Sequence, residues 1–278
     1  MALIAIAADK GSPGVTTTAV ALAAVWPRRA LLAEVDPAGG DLVYRSAAAH
    51  GGALDPNTGM LSLAATARRG LAAEQLWDHA QPIAGGLDVL VGLAGSEQAA
   101  GLTGLWPILG RSFATLADSP QGAADVIADC GRIGADSPVL ELLSHTSLVL
   151  LLASTEPEQL ARVRDRAAAL SAKLHGGHRA ASQLGFPPIG VLLLTEPGGG
   201  DRIARQVNDM LIAAQTGAQV VGTIAHDPAG AEQLAGRRRG RLDKSLIIRS
   251  VRQVAGDVFH RFNLAASYNA AYSNGAPQ

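Results

Sequence analysis

One cysteine, Cys130, stands in a chain of 278 residues. That scarcity excludes a disulfide framework and any multi-cysteine metal site, and it suits a reducing, cytoplasmic setting. Aromatic residues make up 4% of the chain and charged residues 17%. The 23 Lys and Arg side chains nearly balance the 24 Asp and Glu, for a net charge of -1, so no global field draws the chain to nucleic acid or to an anionic membrane. Such a partner would have to use a local patch. Long apolar runs are missing too. The first, ALIAIAA, lies at 2–8 and is followed at once by polar and glycine residues, and the longest later one, SLVLLLA at 147–153, is of strand length. Neither approaches the roughly 20 residues of a membrane-spanning helix, so no transmembrane segment is expected. The seven histidines are scattered without metal-ligand spacing, and no Ser/His/Asp arrangement emerges.

What is present is apolar material in short, regular pieces. Hydrophobic residues are 48% of the chain, enough for a large core. Runs rich in Val, Ile and Leu predict strands at 2–8, 30–35, 87–91, 125–129, 147–153, 189–194 and 219–224. Between them, periodic stretches predict helices at 14–25, 61–69, 73–79, 97–116, 156–173, 201–215, 229–234 and 244–262. The alternation reads as an α/β fold, a mostly parallel, doubly wound sheet with helices on both faces. No linker divides it, so residues 1–262 read as one domain and 263–278 as a loop-like tail.

The most informative stretch is DKGSPGVTTT at 9–18. A strand, a glycine turn and a Thr-rich helix start bring backbone N–H groups and the positive end of a helix onto one point, which is how a chain cradles an anion. Gly11 and Gly14 permit the tight path, and Thr16 and Thr17 offer hydroxyls to a metal ion and a phosphate oxygen. The stretch resembles the deviant phosphate loop K-G-G-x-G-K-[ST] of the MinD/ParA family, in the SIMIBI class of P-loop NTPases. Lys10, Gly11, Gly14, Thr16 and Thr17 match; Ser12 replaces a glycine and Val15 the second lysine.

Further segments follow in family order. LLAEVDPAGGDL at 31–42 resembles the first switch, with Glu34 and Asp36 at its acidic positions. DVIADCG at 125–131 resembles the Walker B segment, its D-x-x-x-D spacing kept by Asp125 and Asp129. GVLLLTEPG at 190–198 and VVGTIAHDP at 220–228 resemble the strands and loops beside the base. The resemblance implies ATP or ADP with Mg²⁺, a homodimer and a protein partner or cargo. It implies that Thr16, Asp36 and Asp129 hold the metal, that Asp36 orients the attacking water, and that Lys10 reaches the partner subunit's nucleotide. Lys10, Gly11, Ser12, Gly14, Val15, Thr16 and Thr17 would line the phosphates, with Thr195, Asp227 and Pro228 nearer the base.

The departures set the expected activity. A charge-assisted hydrogen bond contributes roughly 1.5–3 kcal/mol, so losing the lysine at position 15 predicts about tenfold to a hundredfold weaker binding. Hydrolysis suffers more, because charge develops where that lysine acts. Pro13 removes a further N–H donor. Altered phosphate loops also occur in the CpaE/TadZ-like branch of the family. Three readings follow: a dimeric positioning or partitioning scaffold with weak or no ATP hydrolysis; a slow ATPase switch that localises a partner machinery; and a non-specific DNA binder using Arg237, Arg238, Arg239 and Arg241 of the GRRRGR cluster. The first is preferred. The apolar stripe of the 244–262 helix is read as core packing rather than membrane docking, and Cys130 as a small buried residue.

Overall fold

The computed structural model describes residues 2–11, 14–176 and 186–264. An eight-stranded sheet runs through its centre in the order β3-β4-β2-β5-β1-β6-β7-β8. The strands are β1 (Leu3–Ala8), β2 (Ala30–Glu34), β3 (Gln81–Pro82), β4 (Asp88–Leu90), β5 (Asp125–Arg132), β6 (Leu148–Ser154), β7 (Ile189–Thr195) and β8 (Gln219–Ala225). All pairings are parallel except that of β3 with β4. From β1 the chain fills one side with β5, β2, β4 and β3 and the other with β6, β7 and β8, which puts the topological switch point beside β1.

The strands read as unbroken apolar runs because both faces of the sheet are covered. Along β1, Leu3, Ala5 and Ala7 enter one core, while Ile4, Ile6 and Ala8 enter the other, as the two-residue period of a strand requires. The first core holds residues of α3 (Met60–Ala67), α5 (Trp106–Thr115), α7 (Pro157–His175) and α8 (Gly200–Ala213). The second is covered by α1 (Val15–Ala24) and α10 (Leu246–Arg261), whose Ile247, Ile248, Val251, Val254 and Val258 are buried. The stripe on α10 is core. Leu246 itself is 43% exposed, and folded packing continues as far as Leu264, which is buried and whose carbonyl accepts from Arg28.

All seven expected strands are present, with shifts of one to three residues at their ends. The expected helix at 97–116 is broken into α4 (Ser96–Ala100) and α5. Gly104, at φ 78, turns the chain between them and Pro107 is the second residue of α5, consistent with proline's preference for a first helical turn. Residues 73–79 form a tighter 3₁₀ helix. The short helices α2 (Leu42–Arg45) and α6 (Leu140–Leu143), and the two-residue β3, carry too little pattern to be read in advance. The remaining helix, α9 (Pro228–Leu234), follows β8. No described helix is long and apolar enough to cross a membrane.

Candidate functional site

The site begins where β1 ends. Asp9 is tied to α7 by Arg166, whose Nε donates at 2.6 Å, and by Arg162 at 3.9 Å. Lys10 is exposed. Gly11, at φ 94, lies where a side chain would run into Gln159 of α7. Ser12 and Pro13 lie outside the described residues. Gly14, at φ 90 and ψ 42, is in the left-handed region open to glycine and starts α1. Thr18 N–H closes on the Gly14 carbonyl at 2.9 Å, so the N–H groups of Val15, Thr16 and Thr17 precede the first intrahelical bond, and no side chain caps them. The Val15 side chain is buried in the core beneath, leaving only its N–H for a ligand.

Two carboxylates face this helix end from neighbouring strands. Asp129 stands inside β5, three residues before its end, paired with Ile6 of β1 and Glu34 of β2. It is 1% exposed. Its Oδ1 accepts from Gly131 N–H at 3.0 Å. Thr16 lies close enough to favour its charged form, yet no well-aligned donor reaches Oδ2, a buried oxygen without a hydrogen-bond partner. Burial pushes the Asp129 carboxyl up to about 6; Thr16 and Gly131 oppose this, the Asp36 charge reinforces it, and Arg45 opposes it. Asp36, just beyond β2, accepts from Ala38 N–H at 2.8 Å, and burial raises its carboxyl as well. An orphaned buried oxygen, a second carboxylate and a nearby hydroxyl form a hard, oxygen-rich donor set of the kind Mg²⁺ takes. Among the described residues no three acidic, His or Cys side chains form a complete cage. Thr16, Asp36 and Asp129 still fit Mg²⁺, which when bound neutralises phosphate charge.

Two other acids have structural work. Asp125 lies at the opposite end of β5, 1% exposed, and accepts from Ala2 N–H, Trp26 Nε1 and both Nε and Nη2 of Arg28 at 2.7–2.9 Å. Glu34 was placed only as an acidic match in the first switch. It is 2% exposed and joins two loops: Oε1 accepts from Asp41 and Leu42 N–H at 2.7 and 3.1 Å, and Oε2 from Gly92 N–H at 2.8 Å. Those partners lie up to 58 residues away, so only the fold reveals the role.

Beside α1 opens a cleft of about 370 Å³ lined in part by Gly14, Thr17, Ser154, His226, Asp227 and Pro228. Thr195 does not line it. Six per cent exposed, it borders a neighbouring hollow of about 260 Å³ with Glu196 and Ser250. The Asp227 carboxylate is engaged with backbone: Oδ1 accepts from Gly230 N–H at 2.9 Å and Oδ2 from Leu246 and Ile247 N–H at 2.8 and 3.2 Å. Partial burial opposes its charge, but these donors outweigh that and hold its carboxyl below the usual value. Asp227 shapes the cleft by fixing α9 to α10 rather than by offering a free carboxylate. Arg237, Arg238, Arg239 and Arg241 are exposed after α9, with Arg241 paired to Asp243 at 3.3 Å. Cys130 is fully buried, and burial pushes its thiol far up, so it is an inert core residue.

No family model and no curated protein sequence matches the chain. Solved structures do. MinD of Pyrococcus furiosus, a cell division ATPase, aligns over 93% of this chain and 98% of its own at 17% identity, with a TM-score of 0.62. A ParA family ATPase from Chlorobium tepidum aligns over 91% and 98% at 16% identity and 0.63. The fold is that of the MinD/ParA ATPases. A putative plasmid partition protein from Borrelia burgdorferi, bound to AMPPNP, shares the MinD/ParA fold with this chain over 93% and 98% at 15% identity and a TM-score of 0.65. Within this fold, the uncapped helix end, the orphaned Asp129 oxygen and the cleft all lie at the edge of the sheet reached after β1.

Proposed function

We propose that the chain is a MinD/ParA-like nucleotide-binding protein with an impoverished phosphate loop, which works as a dimeric positioning or partitioning scaffold and hydrolyses ATP weakly or not at all. One observation carries the reading: three N–H groups at the start of α1 precede any intrahelical bond, and Thr16 of the same turn lies next to Asp129, whose buried Oδ2 has no aligned donor. Unsatisfied groups of both signs at one place call for a ligand that is an anion and a cation together, and a magnesium-bound polyphosphate is both. Relatives of the same fold are described with Mg-ADP and with AMPPNP. The weakness follows from Val15, whose side chain turns into the core and leaves its loop position without a charge.

Exposed Lys10 favours the slow-ATPase reading in second place, since a lysine free at the loop surface can reach across a dimer interface. A MinC:MinD complex from Aquifex aeolicus shows the fold serving a protein partner, and a partner or cargo is part of the proposal here. Titration calorimetry with Mg-ATP, alongside phosphate release at high protein concentration, tests it. Saturable binding with negligible turnover is expected. Turnover that rises with the square of protein concentration moves the assignment to the ATPase, and no binding of any nucleotide refutes both.

A further inference from the structure

The phosphate loop lacks a cation at position 15, and the fold brings one from elsewhere. Arg45 ends α2, half-buried, and its Nη2 donates to Thr17 Oγ1 at 2.9 Å. Thr17 is the third residue of α1, in the turn whose first N–H groups lack intrahelical acceptors. It also lines the cleft that holds Ser154 and Pro228. The guanidinium is therefore held beside Thr17, a residue that borders that cleft. From the same place its charge favours the ionised form of Asp129.

The neighbouring loops are built to keep it there. Glu34 accepts from the Asp41 and Leu42 N–H groups at the start of α2. Arg45 N–H bonds the Asp41 carbonyl at 3.0 Å. Arg45 lines a small hollow with Thr17, Val20, Leu42 and Leu234, apolar neighbours against which a long side chain can pack its methylenes. A guanidinium carries five N–H donors in a rigid fork. One is engaged by Thr17, which leaves others for phosphate oxygens.

We propose that Arg45 is the anchor for the nucleotide's phosphates, supplying from the segment after β2 the positive charge that the loop lost at Val15. This rests on the nucleotide reading above. The charge then comes from α2 rather than from the loop itself, so phosphate affinity is tied to the position of α2.

Four proteins test it by calorimetry with Mg-ATP: wild type, Arg45→Ala, Arg45→Lys, and Arg45→Ala combined with Val15→Lys. Adenosine, which has no phosphate, serves as the control ligand, and thermal melts confirm folding. Arg45→Ala is expected to weaken Mg-ATP binding by about tenfold or more while leaving adenosine affinity unchanged. Arg45→Lys, which keeps charge but not the fork, falls between. Adding Val15→Lys to Arg45→Ala restores at least part of the loss. Equal affinity of wild type and Arg45→Ala for Mg-ATP overturns the assignment while leaving nucleotide binding intact, and so does a parallel loss of ATP and adenosine, which marks a structural role. A wild type that binds no nucleotide removes the reading beneath as well.

Discussion

Asp36 occupies the space that a side chain on Gly131 would need. Gly131 is held at φ 58, and a β-carbon built there falls onto the Asp36 carboxylate. The loop after β2 and the end of β5 thus close on each other, with Asp129 two residues away accepting from Gly131 N–H. Gly131→Ala is expected to displace Asp36 and to cost about 1–3 kcal/mol in stability from the left-handed backbone and the collision. Mg²⁺-dependent nucleotide affinity reads the displacement and urea unfolding the stability cost. An alanine variant with wild-type values of both would show that the two segments are not packed this way.

Much of this arrangement was legible in the sequence, and the limits are physical. Buried parallel strands announce themselves as apolar runs, so all seven expected strands are found. The positive-φ Gly11 and Gly14 and the start of α1 were legible because glycine and threonine at fixed short spacings have local consequences. Glu34 and Arg45 were not, since a buried carboxylate that binds Gly92 and a guanidinium that reaches Thr17 depend on chain segments 58 and 28 residues away. Thr195 borders the hollow beside the main cleft, because sitting at the end of a strand does not decide which of two adjacent hollows a side chain borders.

The two aspartates of β5 should separate cleanly under mutation. Asp125 holds Arg28, the Trp26 N–H and the Ala2 N–H in a buried network. Removing one partner of a buried ion pair typically costs about 3–5 kcal/mol. Asp125→Ala is therefore expected to lower the melting temperature sharply while leaving nucleotide affinity unchanged at a temperature where the variant is folded. A loss of affinity there would mean that the far end of β5 communicates with the site.

Stability should fall as pH rises. Burial, the strongest influence on Glu34, pushes its carboxyl from 4.5 up to about 7, against the pull of the Gly92 N–H and with help from the Asp129 charge. A folded value above the unfolded one means stability that is complete below about 4.5 and is lost as pH climbs through about 7. The full shift corresponds to roughly 3 kcal/mol as an upper figure. Urea titrations of the nucleotide-free protein between pH 5 and 8 should show the decline. Glu34→Gln, neutral throughout, should make it shallower and leave the part due to Asp129, and an unchanged slope in that variant would show that Glu34 does not titrate in this window.

Asp129 offers the strongest test because stability and function should move in opposite directions. Burial raises its carboxyl from 3.8 to about 6, so above pH 6 the folded protein holds a charge with one oxygen unpartnered. Asp129→Asn removes that charge and keeps an acceptor for Gly131 N–H. The variant should therefore be more stable than wild type at pH 8, by about 1–3 kcal/mol, with the gap shrinking toward zero as pH falls through 6 to 4. A divalent cation does the opposite to the wild type, favouring ionised Asp129 and releasing its proton. Near pH 6, Mg-nucleotide binding should then expel about half a proton from this residue, read as a dependence of calorimetric heat on the buffer's ionisation enthalpy. In Asp129→Asn the proton release and the gain from Mg²⁺ should both vanish. A variant that gains no stability at pH 8 and still binds nucleotide more tightly with Mg²⁺ would mean that the buried oxygen is not where the cation is held.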